Sequence, residues 1–375
     1  MNNVKFDIVN SLSGIKAEDW NSLNGDSLVT SYDFLSALED TENVGGDSGW
    51  SPAHLIASDG DKLVGAAPLY IKTHSYGEFI FDWAWADAYH RSGLDYYPKL
   101  VSAVPFTPAT GPRLLASDPE MKQALAAATL AFAQDNKLSS FHCLYPELSD
   151  LEIWGHAGCL TRKSIQFHWT NQDYESFEHF LSFMRSAKRK KIKQERRRIA
   201  DDGITFDVIS GDQATDTEWQ FFYDCYHHTY AIRGTNPYLN FDFFLALKKR
   251  IGKNTLLIIA TRNGKRIAAA LNLLSNDKIL GRYWGANEYV PGLHFETCYY
   301  QTIEYAIQHG YRTFEGGAQG EHKLSRGLEV VATNSAHWLA HPQFSDAVEN
   351  FLSREGTAIS EYHDSLTTRA PFKTL

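Results

Sequence analysis

Short apolar runs alternate along the chain with longer segments of helical period, the pattern of mixed α/β layers. In the first half, the runs over 53–58, 63–71, 79–85 and 140–145 are short enough to be strands. Helices are expected over 31–39, behind a Ser31 cap, and over 119–136, behind Asp118. The second half opens with a basic helix over 183–201, followed by helices around 218–230 and 241–251. Strands are then expected at 256–261, 266–275 and 279–285, joined by the turn signals Asn263-Gly264 and Asn276-Asp277. A helix over 296–309 stops at Gly310, and a strand over 311–315 follows.

Both halves thus present helices, a meander of hairpin-linked strands, a crossing helix and a further strand. Trp85 precedes Gly93-Leu94 by the same interval at which Trp284 precedes Gly292-Leu293, each just after the third strand of its meander. The pattern predicts an α/β (α+β) protein of two duplicated domains, 1–172 and 173–375, each a mixed, mostly antiparallel sheet flanked by helices.

Composition narrows the function classes. At 375 residues, with 43% hydrophobic, 13% aromatic and 22% charged residues, the chain can bury a sizeable core. A formal net charge of −9 gives no long-range attraction for nucleic acid or anionic membrane, so such a partner must use a local patch. The first residues lack a basic segment followed by an apolar core, and no run approaches the roughly 20 apolar residues that span a bilayer. A cytoplasmic protein without membrane insertion is the expectation. Cys143, Cys159, Cys225 and Cys298 form no CxxC pair, which points to reduced thiols.

Candidate chemistry concentrates in Thr313 to Gly327, where Glu315, Gln319, Glu321, His322, Lys323 and Arg326 are interleaved with Gly316, Gly317, Gly320 and Gly327. Glycines allow tight turns, so acid, base and anion-binding groups can converge at the end of a strand. The alternative is a solvated loop. Upstream, Tyr283 and Trp284 end a strand, and His294 and Glu296 sit in the first turn of the next helix, whose bare backbone N–H groups suit a pyrophosphate. Each is equally read as cap or core. The segment from Lys188 to Arg198 carries eight Lys/Arg in eleven positions, with Met184, Ile192 and Ile199 as a thin apolar seam. It is either a solvated helix or, through residues such as Lys190 and Lys191, a patch for a phosphate-rich ligand. In the first half, Asp82, Trp83, Trp85, Asp87 and Tyr89 make an aromatic wall beside the stiff turn over 104–115, as core packing or as a ligand platform. His337 and His341 have the spacing of metal ligands on one helical turn, but no third ligand is evident and no metal is expected. GxSxG, Walker A and GxGxxG motifs are absent.

The chain resembles the FemAB-related branch of the GNAT acyltransferase superfamily, in which two GNAT-like domains are joined in tandem. The likeness is carried by SYDFLSALE at Ser31, PLYIK at Pro68, FIFDWAWADAY at Phe79, VPFTPATGPRLL at Val104 and the basic helix. In the second half it is carried by RGTNPYL at Arg233, GLHFETCYYQTIEYAI at Gly292, FEGGAQGEHKLSRGLE at Phe314 and HW at His337. The resemblance implies N-acyl transfer from an acyl-CoA such as acetyl-CoA to a small-molecule or peptide amine, without a covalent enzyme intermediate. Splayed strands ending near Tyr283 to Gly292 would bind the acyl carbonyl, and the helix start after them the CoA pyrophosphate. The usual R/Q-x-x-G-x-G/A signature is replaced there by ANEYVPGLHF. Glu315 or His322 is the first candidate base, with Glu296 and His294 next. Lys323 and Arg326 would hold a phosphate or carboxylate, and Asp82, Trp83, Trp85, Asp87, Tyr283, Trp284, Gln319 and Glu321 complete the binding set. Two alternatives stand beside this. Aminoacyl-tRNA could be the donor, met by Lys190 and Lys191, with a peptidoglycan-precursor-like acceptor; or the chain binds such a ligand without catalysis.

Overall fold

The computed structural model describes residues 4–317 and 320–373. Its strands are β1 (Val4–Val9), β2 (Trp50–Pro52), β3 (His54–Asp59), β4 (Lys62–Ala67), β5 (Tyr70–Lys72), β6 (Lys99–Ser102), β7 (Ser140–Leu144), β8 (Leu160–Thr170), β9 (Ile204–Ser210), β10 (Thr255–Arg262), β11 (Lys265–Ser275), β12 (Lys278–Ala286), β13 (Thr313–Glu315) and β14 (Glu329–Leu339). The chain divides into two compact units: Met1–Ser164 with Ala332–Glu361, and Ile165–Val331 with Tyr362–Leu375. The sequence suggested a single boundary, whereas the chain passes between units three times. No helix among the described residues is long and apolar enough to cross a membrane.

In the first unit, β1, β3 and β4 form an antiparallel sheet, while β2, β5, β6, β7 and β14 lie side by side in a second, with β6 and β7 parallel. The Pro119–Asp135 helix begins as its sequence predicts: the Asp118 side chain accepts from the Glu120 N–H, and Pro119 occupies the first turn, where an N–H is not needed. Its Met121, Leu125 and Ala126 pack with Leu55, Leu100, Phe141 and Trp154.

The strand expected over 79–85 is not one. Glu78, Ile80 and Asp82 are buried while Phe79, Phe81 and Trp83 are exposed, an alternation that imitates a strand. Phe79, however, is left-handed at φ 62°, which breaks any ladder, and a helix, Trp83–Arg91, starts four residues on. Phe106 and Tyr145, both with positive φ, help to hold this loop: the Phe106 N–H donates to the Gly77 carbonyl and the Tyr145 hydroxyl to the Phe79 carbonyl, at 3.2 and 3.0 Å. His337 and His341 do not share a helical turn either. His337 lies in β14 and His341 beyond its end, because the alternation of β14 against β7 wins over helical spacing.

In the second unit the strand order is β8, β13, β12, β11, β10, β9, antiparallel except for the parallel pair β12 and β13. The β10–β11 turn has Asn263 and Gly264 at φ 52° and 75°, and the β11–β12 turn has Asn276 at 42°, as the turn signals require. The basic helix expected over 183–201 spans Ser186–Asp201, with a separate short helix, Phe177–Phe183, ahead of it. Met184, Ile192 and Ile199 are all buried, so the thin apolar seam suffices to seat a helix that is otherwise charged. The main core gathers Trp169, Phe180, Tyr300, Ile303 and Phe314.

Candidate functional site

The site grows from the hairpin of β11 and β12. Their register runs regularly from Ser275↔Lys278 to Asn272↔Gly281, then jumps to Leu271↔Tyr283, leaving Arg282 as the extra residue of a bulge. On its other edge β12 pairs with β13 only over Lys278↔Thr313, Ile279↔Phe314 and Leu280↔Glu315. Beyond Leu280 the two strands part while β12 continues to Ala286. Gly281 marks the fork, since a Cβ there would lie 2.7 Å from the Phe314 ring. A cavity of about 100 Å³ opens at this point, walled by Asn272, Arg282, Trp284, His294, Tyr299 and Gly316 among others.

One side of the cavity is a helix over 293–308, entered through Gly292 at φ 90° and widened to a π turn over Glu296–Tyr300. Single π turns cost hydrogen-bond geometry and recur at functional sites. His294 lines the cavity, its ring 5.2 Å from Trp284 and 5.3 Å from Tyr299. Burial, with His322, Lys323 and Arg326 nearby, holds its imidazole down at about 4, so it is a neutral base at pH 7. Burial also raises the Cys298 thiol, which therefore stays protonated.

The glycine-rich segment folds behind this wall. After Glu315, buried at the end of β13, a short helical stretch spans Glu321–Arg326. Lys323 is buried, and its Nζ donates to the Gly317 carbonyl at 3.1 Å and lies 5.7 Å from the Phe167 ring. Burial and then Arg282 pull it down to about 8. No carboxylate pairs with it among the described residues. Arg326 is spoken for: it stacks 3.3 Å over Phe295, donates to Glu195 at 3.0 Å and to the His322 carbonyl at 2.8 Å. His322 is solvent-facing, 3.4 Å from the Tyr299 hydroxyl, and is lowered by burial, Arg326 and Lys323. Glu296 is buried; its Oε1 accepts from Arg196 at 3.0 Å and Gln301 at 2.8 Å, Oε2 has no partner among the described residues, and burial raises it.

The predicted residues therefore fall into groups. His294, Tyr283 and Trp284 line the cavity; His322, Lys323 and Arg326 lie near His294, Glu296 sits in the π turn of the same helix, and Glu315 ends β13. Glu321 points elsewhere, accepting from the Tyr362 hydroxyl at 2.6 Å and pairing with Arg369 at 2.7 Å, which fastens the C-terminal segment. Gln319 lies outside the described residues. Lys190 and Lys191 are exposed on the basic helix. Asp82, Trp83, Trp85 and Asp87 belong to the first unit, where Asp82 and Trp85 are interior and Trp83 and Asp87 are at the surface.

Three residues at the site carried no legible signal. Asn272, 2% exposed, lines the cavity with an Nδ2 that has no partner among the described residues. In the sequence it is one polar position inside the apolar run IAAALNLLS, and only the bulge opposite gives it meaning. Glu195, hidden in the basic run, accepts from both Arg326 and the Tyr300 hydroxyl. His168, in β8, is held down at about 4 by burial and the cations Lys278, Arg282 and Lys323.

The architecture of tandem GNAT-like domains is shared with solved structures. The chain is similar to FemX (TM-score 0.55, 11% identity, covering 89% of this chain and 98% of that one) and to L-PGS from Bacillus licheniformis (0.56, 12%, 92% and 98%). It is also similar to the C-terminal domain of a putative lysylphosphatidylglycerol synthetase from Agrobacterium fabrum (0.50, 13%, 76% and 85%). No curated protein matches it in sequence. Residues 11–374 match the model of the FemAB_like family, described as peptidoglycan biosynthesis/recognition, and the chain belongs to that family.

Proposed function

We propose that the chain is an N-acyltransferase that passes an acyl group from acyl-CoA directly to an amine, with the cavity between β12 and the 293–308 helix as its centre. The observation that carries this reading is the fork of β12 from β13 beside the Arg282 bulge, where the cavity opens with the neutral imidazole of His294 in its wall. The amine nitrogen attacks the thioester carbon; the C–N bond forms and the C–S bond breaks. His294 takes the proton the amine loses and returns it to the departing thiolate. Negative charge on the tetrahedral oxygen is met by the β12 backbone and by the uncompensated charge of Lys323, which is felt strongly in a buried setting. Of the four candidate bases, His294 is favoured because it alone lines the cavity. Lys323 is favoured over Arg326 for an anion because Arg326 is held by Glu195. An acceptor related to peptidoglycan precursors accords with the family description.

A second reading, with aminoacyl-tRNA as donor, is supported by the basic helix. Lys188, Arg189, Lys190, Arg197 and Arg198 enter no carboxylate pair among the described residues, leaving a cationic face for a phosphate backbone. The deciding experiment offers acyl-CoA and aminoacyl-tRNA in parallel to an amine library that includes peptidoglycan-precursor peptides. Thiol release that depends on His294 supports the first donor, and salt-sensitive transfer lost on neutralising Lys190 and Lys191 the second. Transfer from neither would overturn both.

A further inference from the structure

The cavity between β12 and the 293–308 helix holds a buried polar group that the transfer steps leave without a task. Asn272, in β11, is 2% exposed, and its Nδ2 bonds nothing among the described residues. Register fixes where it points. Side chains alternate along a strand, so Ala270, Asn272 and Leu274 share a face. On that face Leu274 packs with Tyr299 and Phe314, and Trp284, which pairs with Ala270, meets His294. Asn272 stands between these contacts and faces the 293–308 helix, in the wall that Trp284, Tyr299 and Phe314 also line. Its neighbours across the ladder are Leu256 on one side and Gly281 on the other, and neither has a side-chain acceptor to offer.

An amide N–H left bare in an apolar wall costs free energy that a leucine of similar size would not. Given acyl-CoA as the donor, on which this rests, we propose that Asn272 selects the acyl group by donating to an oxygen carried on the acyl chain beyond the reacting carbonyl. The donor is then the CoA thioester of a short oxygen-bearing acid, such as a 3-hydroxy acid, and not of a plain alkyl acid.

Spacing, size and charge each bear on that choice. His294 stands at the Trp284 end of the cavity, its ring 5.2 Å from Trp284, whereas Asn272 stands at the Gly281 end, two residues or about 7 Å further along β11. A carbonyl within reach of His294 therefore leaves room for two or three bonds before the chain meets Asn272. At about 100 Å³ the cavity is well below the volume of sites that take drug-sized ligands, which limits the acyl group to a few heavy atoms. Arg282 lies in the wall, and Lys323 acts on His294, so an ammonium in the oxygen's place would be repelled.

The test is calorimetric titration of the full chain with 3-hydroxypropionyl-CoA, butyryl-CoA and β-alanyl-CoA, with free CoA as reference. The three acyl chains have the same length and end in a hydroxyl, a methyl and an ammonium, and no acceptor amine is needed. The hydroxyl thioester should bind about ten-fold or more tightly than the methyl one, because the methyl leaves the amide unpaired, and more tightly than the ammonium one. In Asn272→Leu and in Asn272→Ala the hydroxyl-to-methyl ratio should fall to about one. If CoA and its thioesters bind but the wild-type chain shows no preference for the hydroxyl, or if both variants keep the wild-type ratio, the role of Asn272 is overturned and the acyl-CoA reading stands. If neither CoA nor any thioester binds at about 1 mM, the acyl-CoA reading falls and the role of Asn272 falls with it.

Discussion

Of the buried lysines, Lys99 in the first unit and Lys323 in the second have opposite surroundings, while Lys72, over the Trp50 ring in the first unit, is lowered by burial as Lys323 is. Lys99 in the first unit is 0% exposed and saturated: its Nζ donates to Ser75 at 2.8 Å, Glu78 at 2.8 Å and Asp82 at 2.5 Å. Tyr96 bonds both Asp82 and His142, and His142 meets His337 at 2.7 Å, which extends the network into β7 and β14. Burial opposes the Lys99 charge, but Glu78 and Asp82 outweigh it and raise the ammonium above its ordinary value. Lys323 in the second unit is 5% exposed and has one carbonyl for company. The same physics lowers it to about 8. A buried charge that has its counter-ions holds a fold in register; one that lacks them costs stability.

The comparison breaks first at Lys99. Lys99→Met strands Glu78 and Asp82 as buried carboxylates and should cost about 3–5 kcal/mol in urea or guanidinium unfolding. A loss under about 1 kcal/mol would mean the network is not saturated in the way described. Next in size is His294, the base proposed for the transfer. His294→Gln should lower transfer by about 100-fold or more with an unchanged melting temperature. Because His294 is held near 4, the wild-type rate should not fall through its protonation until the pH drops below about 5, and an inflection near 6.5 would exclude it as the base. The smallest effect belongs to the basic helix. Lys190→Glu with Lys191→Glu should change stability by no more than about 0.5 kcal/mol each, since both are exposed, while abolishing any tRNA binding measured by filter retention.

Much of the fold was written in periodicity and turn chemistry. The β10–β11–β12 meander is legible because Asn263-Gly264 and Asn276 accept positive φ between apolar runs, and the Asp118 and Ser31 caps fix two helix starts. The stretch over 79–85 misleads for a physical reason: its buried Ile80 and Asp82 alternate with the exposed Phe79, Phe81 and Trp83, so it carries a strand's period without a strand's backbone. The candidate site was legible in part. Polar density drew attention to Glu315 through Arg326, yet nothing local distinguishes Arg326, neutralised by Glu195 from another helix, from Lys323, which is not neutralised. Asn272 could not be found from sequence, because its exposure to the cavity depends on a bulge in the neighbouring strand.

Lys323→Met separates an uncompensated buried charge from a structural one. A lysine whose pKa is depressed by folding contributes fully only above its unfolded value near 10.5, and that contribution is lost as pH falls through about 8. The variant should therefore be more stable than wild type at pH 7, by about 1–3 kcal/mol, with the gap closing above about pH 10.5, and should lose transfer activity. If Lys323→Met is instead destabilised at pH 7 like Lys99→Met, or keeps full activity, the lysine is an ordinary part of the fold and the account is wrong.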